Sequence, residues 1–439
     1  WSSDVCSSDL ALALAACGMA GGWHRVPWLL GMMLVTTFGV FAKENTVVLL
    51  GIVGLYDFTY RIRRITGNWL TNFFANVWEW LTRGYLALIP PLLAMWYVRT
   101  ALFEKMRPPE LPWVDNNLAI PGTDFWTQRF TAIKVIGNYF WMMFWPQTLS
   151  PDYSYNQVPL VAWHFTSWED IKAVLALIAV VAVILVAIRQ YHRTKPAFFF
   201  IMFFFVTLLP TANLVRIIGS IQAERFLYLP VIGFAGCLVV SVYAACRRFI
   251  VKLDVSEWAL RLWLQLCART VLILFMLGLG VRAFVRNFDW QDDVTLWTKA
   301  AQDVPNSFKS HKSLAFALYE QDPTVNNINL DRIIEEGEKA REITDQTQIV
   351  LLHLGAYYRL KGDKLSQPGP GGAISPTVES RIWYQKSVEA LTAAVPLDKA
   401  FNEDNRQKEL KRGRRLEQIQ DVGNQEIRSE EHTSELQSH

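Results

Sequence analysis

The sequence predicts an all-α protein in two parts: a bundle of membrane-spanning helices and, after it, a soluble tail of helical repeats. Three observations predict it. Half of the 439 residues are hydrophobic and 13% are aromatic, with 18 Trp and 26 Phe, a balance usual for membrane proteins. Apolar runs close to the roughly 20 residues that a spanning helix needs recur through the first two thirds of the chain. Beyond Arg286 the charge density rises and no long apolar run remains.

The two ends fit neither part. Codons for WSSDVCSSDL (Trp1–Leu10) can be written so that the reverse complement of codons for RSEEHTSELQSH (Arg428–His439) contains them. The shared string resembles a short-read sequencing adapter. Residues 1–10 and 428–439 are therefore expected to be artefacts and are set aside from the fold. Residues 11–427 are then expected to be a fragment truncated at both ends. Without Arg428 and the acids Asp4, Asp9, Glu430, Glu431 and Glu435, the formal charge moves from +3 to +7.

In chain order, 11–21 reads as the tail of a spanning helix. Seven further spans follow: 26–42, 46–60, 84–103, 171–188, 196–215, 226–245 and 267–284. The stretch FTAIKVIGNYFWMMFWPQTL (Phe130–Leu149) is apolar but carries Lys134, Asn138 and Gln147 among its aromatics, so it reads as a helix lying on the outer face. Basic loops set the orientation. Arg61, Arg63 and Arg64, then Arg189 to Lys195, then Arg247, Arg248 and Lys252 are expected on the cytoplasmic side. Segments 104–170, 216–225 and everything past Phe284 then fall outside.

The tail is expected to hold helices over 305–321, 349–363 and 381–401, with Ser366–Pro376 (SQPGPGGAISP) as a flexible insertion. Ala315 and Ala356 stand about 41 residues apart, longer than the 34-residue tetratricopeptide (TPR) period, so a degenerate or insertion-bearing repeat is the fitting description. The expected organisation is a membrane domain over 11–285 and a repeat domain over 286–427. Cys17, Cys237, Cys246 and Cys267 lie in apolar runs and read as buried small hydrophobes, without disulfide or metal-ligand spacing. Most of the scattered His24, His164, His192, His311 and His353 read as surface or interface residues.

Three clusters of polar residues flank the spans on the expected outer side. FAKENTVV holds Lys43 and Glu44, either a solvated hairpin turn or a cation that meets a phosphate. SPDYSYNQ holds Asp152 and Tyr153, either an interfacial aromatic belt or a sugar platform built by stacking and hydroxyl bonds. IQAERFLYLP holds Glu224, Arg225 and Tyr228; the Arg225 fork either pairs with Glu224 at the interface or takes phosphate oxygens. Arg129 is a fourth candidate. No phosphate loop, dinucleotide motif, metal cluster or nucleophile elbow occurs, and nothing points to nucleic acid.

Taken in order, FAKEN, VDNNLA, RFTAIKVIGNYFWMMFWPQTLSPDYSY, LLPTANLVRIIGSIQAERFLYLPVIGF and WQDDVTLWTKAAQDVPNSFKSHKSLAFAL resemble the transmembrane and tetratricopeptide repeat (TMTC-type) proteins, O-mannosyltransferase-like members of the GT-C glycosyltransferases, and their bacterial relatives. The resemblance implies a GT-C-like membrane bundle that takes a mannose-like sugar from a dolichyl- or polyprenyl-phosphate carrier. The sugar would pass to a protein hydroxyl on the lumenal or periplasmic face, in the endoplasmic reticulum of a eukaryote or the plasma membrane of a bacterium. TPR-like repeats on that face would bind the acceptor protein. Lys43 and Arg225 would neutralise the carrier phosphate, and Asp152 and Tyr153 would position sugar or acceptor. The family's catalytic acid lies in a first outer loop that has no counterpart here, so this chain is expected to be inactive by itself. A non-catalytic membrane-anchored repeat scaffold, or a polysaccharide ligase or polymerase of GT-C type, are the alternatives.

Overall fold

The computed structural model describes residues 25–42, 44–61, 68–80, 84–103, 113–164, 167–252, 258–368 and 374–397. The described residues are helical apart from loops and one two-residue ladder, Gln367–Pro368 against Ile374–Ser375. The helices are α1 (Arg25–Ala42), α2 (Val48–Tyr60), α3 (Trp69–Trp80), α4 (Leu86–Phe103), α5 (Phe125–Phe144), α6 (Trp168–Tyr191), α7 (Lys195–Leu208), α8 (Pro230–Lys252), α9 (Trp258–Asn287), α10 (Asp293–Asp303), α11 (Phe308–Gln321), α12 (Leu330–Ile343), α13 (Gln348–Leu365) and α14 (Val378–Ala394). The chain divides into two compact units, 1–307 and 308–439.

Each of the seven apolar runs expected as spans forms an apolar helix. Three are long and apolar enough to cross a membrane: Trp168–Tyr191, Pro230–Phe249 and Leu262–Trp290. Four are shorter: Val26–Ala42, Val48–Tyr60, Leu86–Leu102 and Lys195–Thr211. Their apolar side chains face outward as well as inward. None of the Leu262–Trp290 window is buried, and Leu274, Met276 and Val281 are each more than 60% exposed. Such a surface suits acyl chains and not water. It also corrects the reading of the cysteines: Cys267 is exposed on α9, and Cys237 and Cys246 are half-buried. Cys17 lies outside the described residues.

Within the first unit, α1 packs on α4, α2 on α7, α6 on α5 and α7, and α8 on α7 and α9. Helix α5 starts where Asp124 caps it by accepting from the Thr127 N–H at 2.9 Å. One face of α5 is buried through Thr131, Ala132, Val135, Ile136, Tyr139 and Met143. The other exposes Trp126, Trp141 and Phe144. The buried face joins Leu118, Val158, Phe204, Leu208, Ala212 and Ile221 in one apolar cluster, so the loops on either side of α5 have a core beneath them.

The second unit stacks α11 on α12, α12 on α13 and α13 on α14. Close approaches sit at glycines. An added Cβ at Gly355 would lie 2.5 Å from Leu391 Cγ, and the Gly355 carbonyl accepts from Ser387 Oγ at 2.6 Å. The sequence reading anticipates α11, α13 and α14. Helix α12 was not anticipated, because LDRIIEEGEKAREI is mostly charged and shows only Leu330, Ile333, Ile334 and Ala340 to the core.

His311 is one of the interface residues, set between α11 and α12. It is buried, and its Nδ1 lies 2.6 Å from Glu336 Oε2, because α12 brings a carboxylate against α11. Burial pushes the Glu336 carboxyl up, but the bonds from His311 and Lys339 outweigh it and hold the group below its usual value. Stability gained this way is present above the unfolded carboxylate value and lost as pH falls through the lowered folded value. Glu336→Gln is therefore expected to lower the Tm at neutral pH and to flatten its fall in acid. Melts of both proteins across that range check this.

Candidate functional site

Two loops, residues 145–164 and 209–229, meet over α5. The first is held down by three anchors. Lys134 Nζ, buried on α5, donates to the Pro159 carbonyl at 2.6 Å and reaches Glu169 Oε2 at 3.3 Å. Asp170 accepts from the Ala162 and His164 N–H groups at 3.0 and 2.6 Å. Trp163 Nε1 donates to Thr127 Oγ1 at 2.7 Å.

A buried amide hub orders the second loop. Asn213 has φ +57°, a left-handed conformation that asparagine tolerates better than most residues. Its side chain donates to the Ser220 and Ile221 carbonyls and accepts from the Ile218 N–H at 2.8 Å and from Asn116 Nδ2 at 3.1 Å. Its own carbonyl accepts from Arg129 Nη1 at 3.1 Å. Asn213→Ala strains the backbone and leaves the buried Asn116 amide with the Ile218 carbonyl as its remaining acceptor, an expected loss of about 3 kcal/mol. Asn213→Gly keeps the conformation and should lose less. Thermal unfolding in detergent ranks the two.

The hub and the anchors bring two of the sequence clusters together. Glu224 Oε1 accepts from the Ser150 N–H at 2.5 Å and from Tyr153 Oη at 3.1 Å. Tyr153 Oη also accepts from the Ser150 N–H at 3.1 Å. Burial pushes the Glu224 carboxyl above its usual range, against the pull of Tyr153, Arg286, Ser150 and Arg282. The Tyr153 phenol is pushed up by burial and by the Glu224 charge. Asp152 turns away from this pair. Its Oδ2 accepts from the Ser154 N–H at 2.8 Å and from Ser307 Oγ at 3.4 Å, which ties the loop to the end of the first unit.

The remaining sequence candidates fall elsewhere. Arg129 serves the hub and lies 4.7 Å from the Phe125 ring centroid. Arg225 lies over the neighbouring Phe226 ring at 5.5 Å. Tyr228 is exposed. Lys43 and the Glu44 side chain lie outside the described residues; Glu44 opens a short 3-10 turn.

Sequence reasoning missed two arginines. Arg282 and Arg286 are one helical turn apart near the end of α9, on one face of it. Arg282 donates from Nε to the Pro146 carbonyl at 3.1 Å and from Nη2 to the Gln147 carbonyl at 2.8 Å. Arg286 is buried, and its Nη1 donates to Asp289 Oδ2 at 2.7 Å. Its Nε and Nη2 are buried without a hydrogen-bond partner. Those two N–H groups form one edge of the guanidinium, the edge that takes two oxygens of a carboxylate or phosphate side by side. Both arginines act electrostatically on Glu224, and Arg286 on Tyr153. The available signal was two arginines closing an otherwise apolar run. Among the described residues no group of three or more His, Cys, Asp or Glu is placed to hold a metal.

The chain is similar to several protein O-mannosyl-transferases. It is 25% identical to human TMTC1 over 189 residues, 41% of this chain and 19% of that protein. It is 38% identical to Drosophila melanogaster Tmtc1 over 104 residues, 24% of this chain and 11% of that protein. Against mouse TMTC4 the identity is 22% over 313 residues, 67% of this chain and 39% of that protein. The chain thus spans well under half the length of these relatives. No protein-family profile and no solved structure matches it.

Proposed function

From the premise that this is a TMTC-like membrane chain, we propose that it serves a glycosyltransferase of O-mannosyltransferase type. A mannose-like sugar leaves a polyprenyl-phosphate carrier and is joined to a protein hydroxyl where the 145–164 and 209–229 loops meet. The orientation set by the basic loops makes that face lumenal or periplasmic. The stacked helices of 308–397 are TPR-like repeats that hold the acceptor protein on the same side. This chain, which spans only part of its relatives, binds the donor and does not turn it over alone.

The observation that carries the reading is the buried, unpartnered edge of Arg286, whose charge acts on Glu224 and Tyr153. A carrier phosphate offers two oxygens to that edge, and Tyr153 offers a hydroxyl. Both Arg286 nitrogens are covered by protein, so the phosphate enters when the 146–153 loop lifts. The Arg282 bonds to Pro146 and Gln147 are the ones that break. Neutral Glu224 adds an O–H donor instead of a repelling charge. Its raised value keeps it neutral over a wider range, so donor binding is expected to weaken as pH rises through that value. Glu224→Gln should remove the dependence.

The test is equilibrium binding of polyprenyl-phosphate mannose, polyprenyl phosphate and unphosphorylated polyprenol of equal length to the purified chain in nanodiscs. The reading expects the two phosphates to bind at least about tenfold more tightly, a difference of about 1.4 kcal/mol. Equal binding of all three would remove it and leave the membrane-anchored scaffold.

A further inference from the structure

Helix α6 carries acids at one end and bases at the other. Glu169 and Asp170 stand in its first turn and Arg189 in its last. Its 24 residues reach about 36 Å, longer than the ~30 Å hydrocarbon layer, so each end stands at a headgroup level. The turn from α6 into α7 adds Arg193 and Lys195. Arg189, Arg193 and Lys195 are all exposed, and no carboxylate among the described residues pairs with them.

A belt of rings marks the same level independently of charge. Tyr191, at the end of α6, lies 5.4 Å from Phe58 of α2 and 5.0 Å from Phe198 of α7, between ring centroids. Tyr60 of α2 lies 5.7 Å from Phe199 of α7. Tyr56, Phe58 and Tyr60 are each more than a third exposed. Half-exposed tyrosines around the end of an apolar bundle are what a bilayer holds at its headgroup boundary, where one side of the ring is dry and the hydroxyl is wet. Among the described residues, the acid of this end is Asp57, which is buried and held by Arg61 at 3.0 Å. The three cations of the turn thus keep their charge for whatever lies outside them. Packed helix ends hold them in the layer where lipid phosphates lie. A zwitterionic lipid brings its own cation there, whereas an anionic one brings net negative charge.

We propose that the α6–α7 turn binds the phosphodiester headgroup of an anionic phospholipid through Arg189, Arg193 and Lys195. This surface is at the far end of α6 from the Asp170 anchor of the candidate site, and it does not depend on the glycosyltransferase reading.

The experiment places p-benzoylphenylalanine singly at positions 188 and 168 of the whole chain, in vesicles of nine parts phosphatidylcholine to one part phosphatidylglycerol. Ile188 is exposed beside the basic end of α6, and Trp168 is exposed at its acidic end. Photolysis is followed by mass spectrometry of the lipid adducts. Expected at 188 is a phosphatidylglycerol share about threefold above the bulk share, and at 168 no enrichment. Changing Arg189, Arg193 and Lys195 together to Gln should return position 188 to the bulk ratio without lowering the adduct yield. Arg193→Lys with Lys195→Arg should keep the enrichment. Adducts at 188 in the bulk ratio in the unaltered turn would overturn the proposal, as would an enrichment that survives the triple Gln change. Lipid adducts at 168 with none at 188 would overturn the placing of this end among the headgroups.

Discussion

Arg286→Gln is expected to weaken binding of polyprenyl phosphate by at least about a hundredfold, since removing one partner of a buried, hydrogen-bonded charge pair costs about 2–5 kcal/mol. Glutamine keeps a polar group but loses the charge and the paired N–H edge that is buried without a partner in the structure. Arg286→Lys keeps the charge and not the edge, so an intermediate loss is expected. The fold should survive both changes, because the one protein bond lost is to Asp289, a partly exposed carboxylate one turn away. Arg225→Ala sets the comparison. Arg225 lies over the Phe226 ring, and its removal should cost less than that of Arg286. Binding isotherms for the three variants, with Tm beside each, check the order. Unchanged affinity in Arg286→Gln would show that the unpartnered edge has another use.

Gly233→Ala should be the most damaging single methyl in the membrane unit. The added Cβ would lie 2.6 Å from the Phe200 carbonyl oxygen and 2.8 Å from the Phe204 nitrogen. These are backbone atoms of α7 and cannot rotate aside. Helices in lipid gain much of their association from close backbone approach at small residues. Forcing α7 and α8 apart is expected to cost about 3 kcal/mol. The damage should reach the candidate site, because α7 leads into the Asn213 hub and α8 follows Glu224. Gly278 on α9 is the control, since a Cβ there meets nothing within 4 Å. Gly278→Ala should be neutral or stabilise by up to about 1 kcal/mol through helix propensity. Detergent melts and donor binding for both variants test the contrast.

Much of the helix layout was legible because hydrophobic run length is a local signal. All seven apolar runs stand as helices, several with ends shifted by a few residues, as for 267–284 inside Trp258–Asn287. The elements that escaped are those whose burial depends on distant partners. Helix α12 is mostly charged, and α10, DVTLWTKAAQD, buries only Leu296 and Ala300. Helix α3 escaped for another reason: at 12 residues it is too short to read as a span.

At the candidate site, SPDYSYNQ and AERFLYLP were each conspicuous as acid–aromatic mixtures near apolar runs. That Tyr153 and Glu224 bond to one another across 71 positions is a product of the Asn213 hub and the Lys134 anchor, and no local pattern announces it. Glu224 pairs with Tyr153 and Ser150 where a neighbouring Arg225 was the expected alternative partner. Arg286 had served only to mark where the charge density changes. Its buried, half-satisfied guanidinium becomes visible only in three dimensions.

The central claim is that the carrier phosphate sits between α9 and the 146–153 loop. A polyprenyl phosphate bearing a diazirine beside the phosphate, photolysed on the chain in nanodiscs and mapped by peptide mass spectrometry, tests it most directly. The account predicts adducts within residues 146–155 and 280–290, competed by unlabelled carrier and lost in Arg286→Gln. Adducts confined to 189–195 or 247–252, at the opposite ends of α6 and α8, would contradict it.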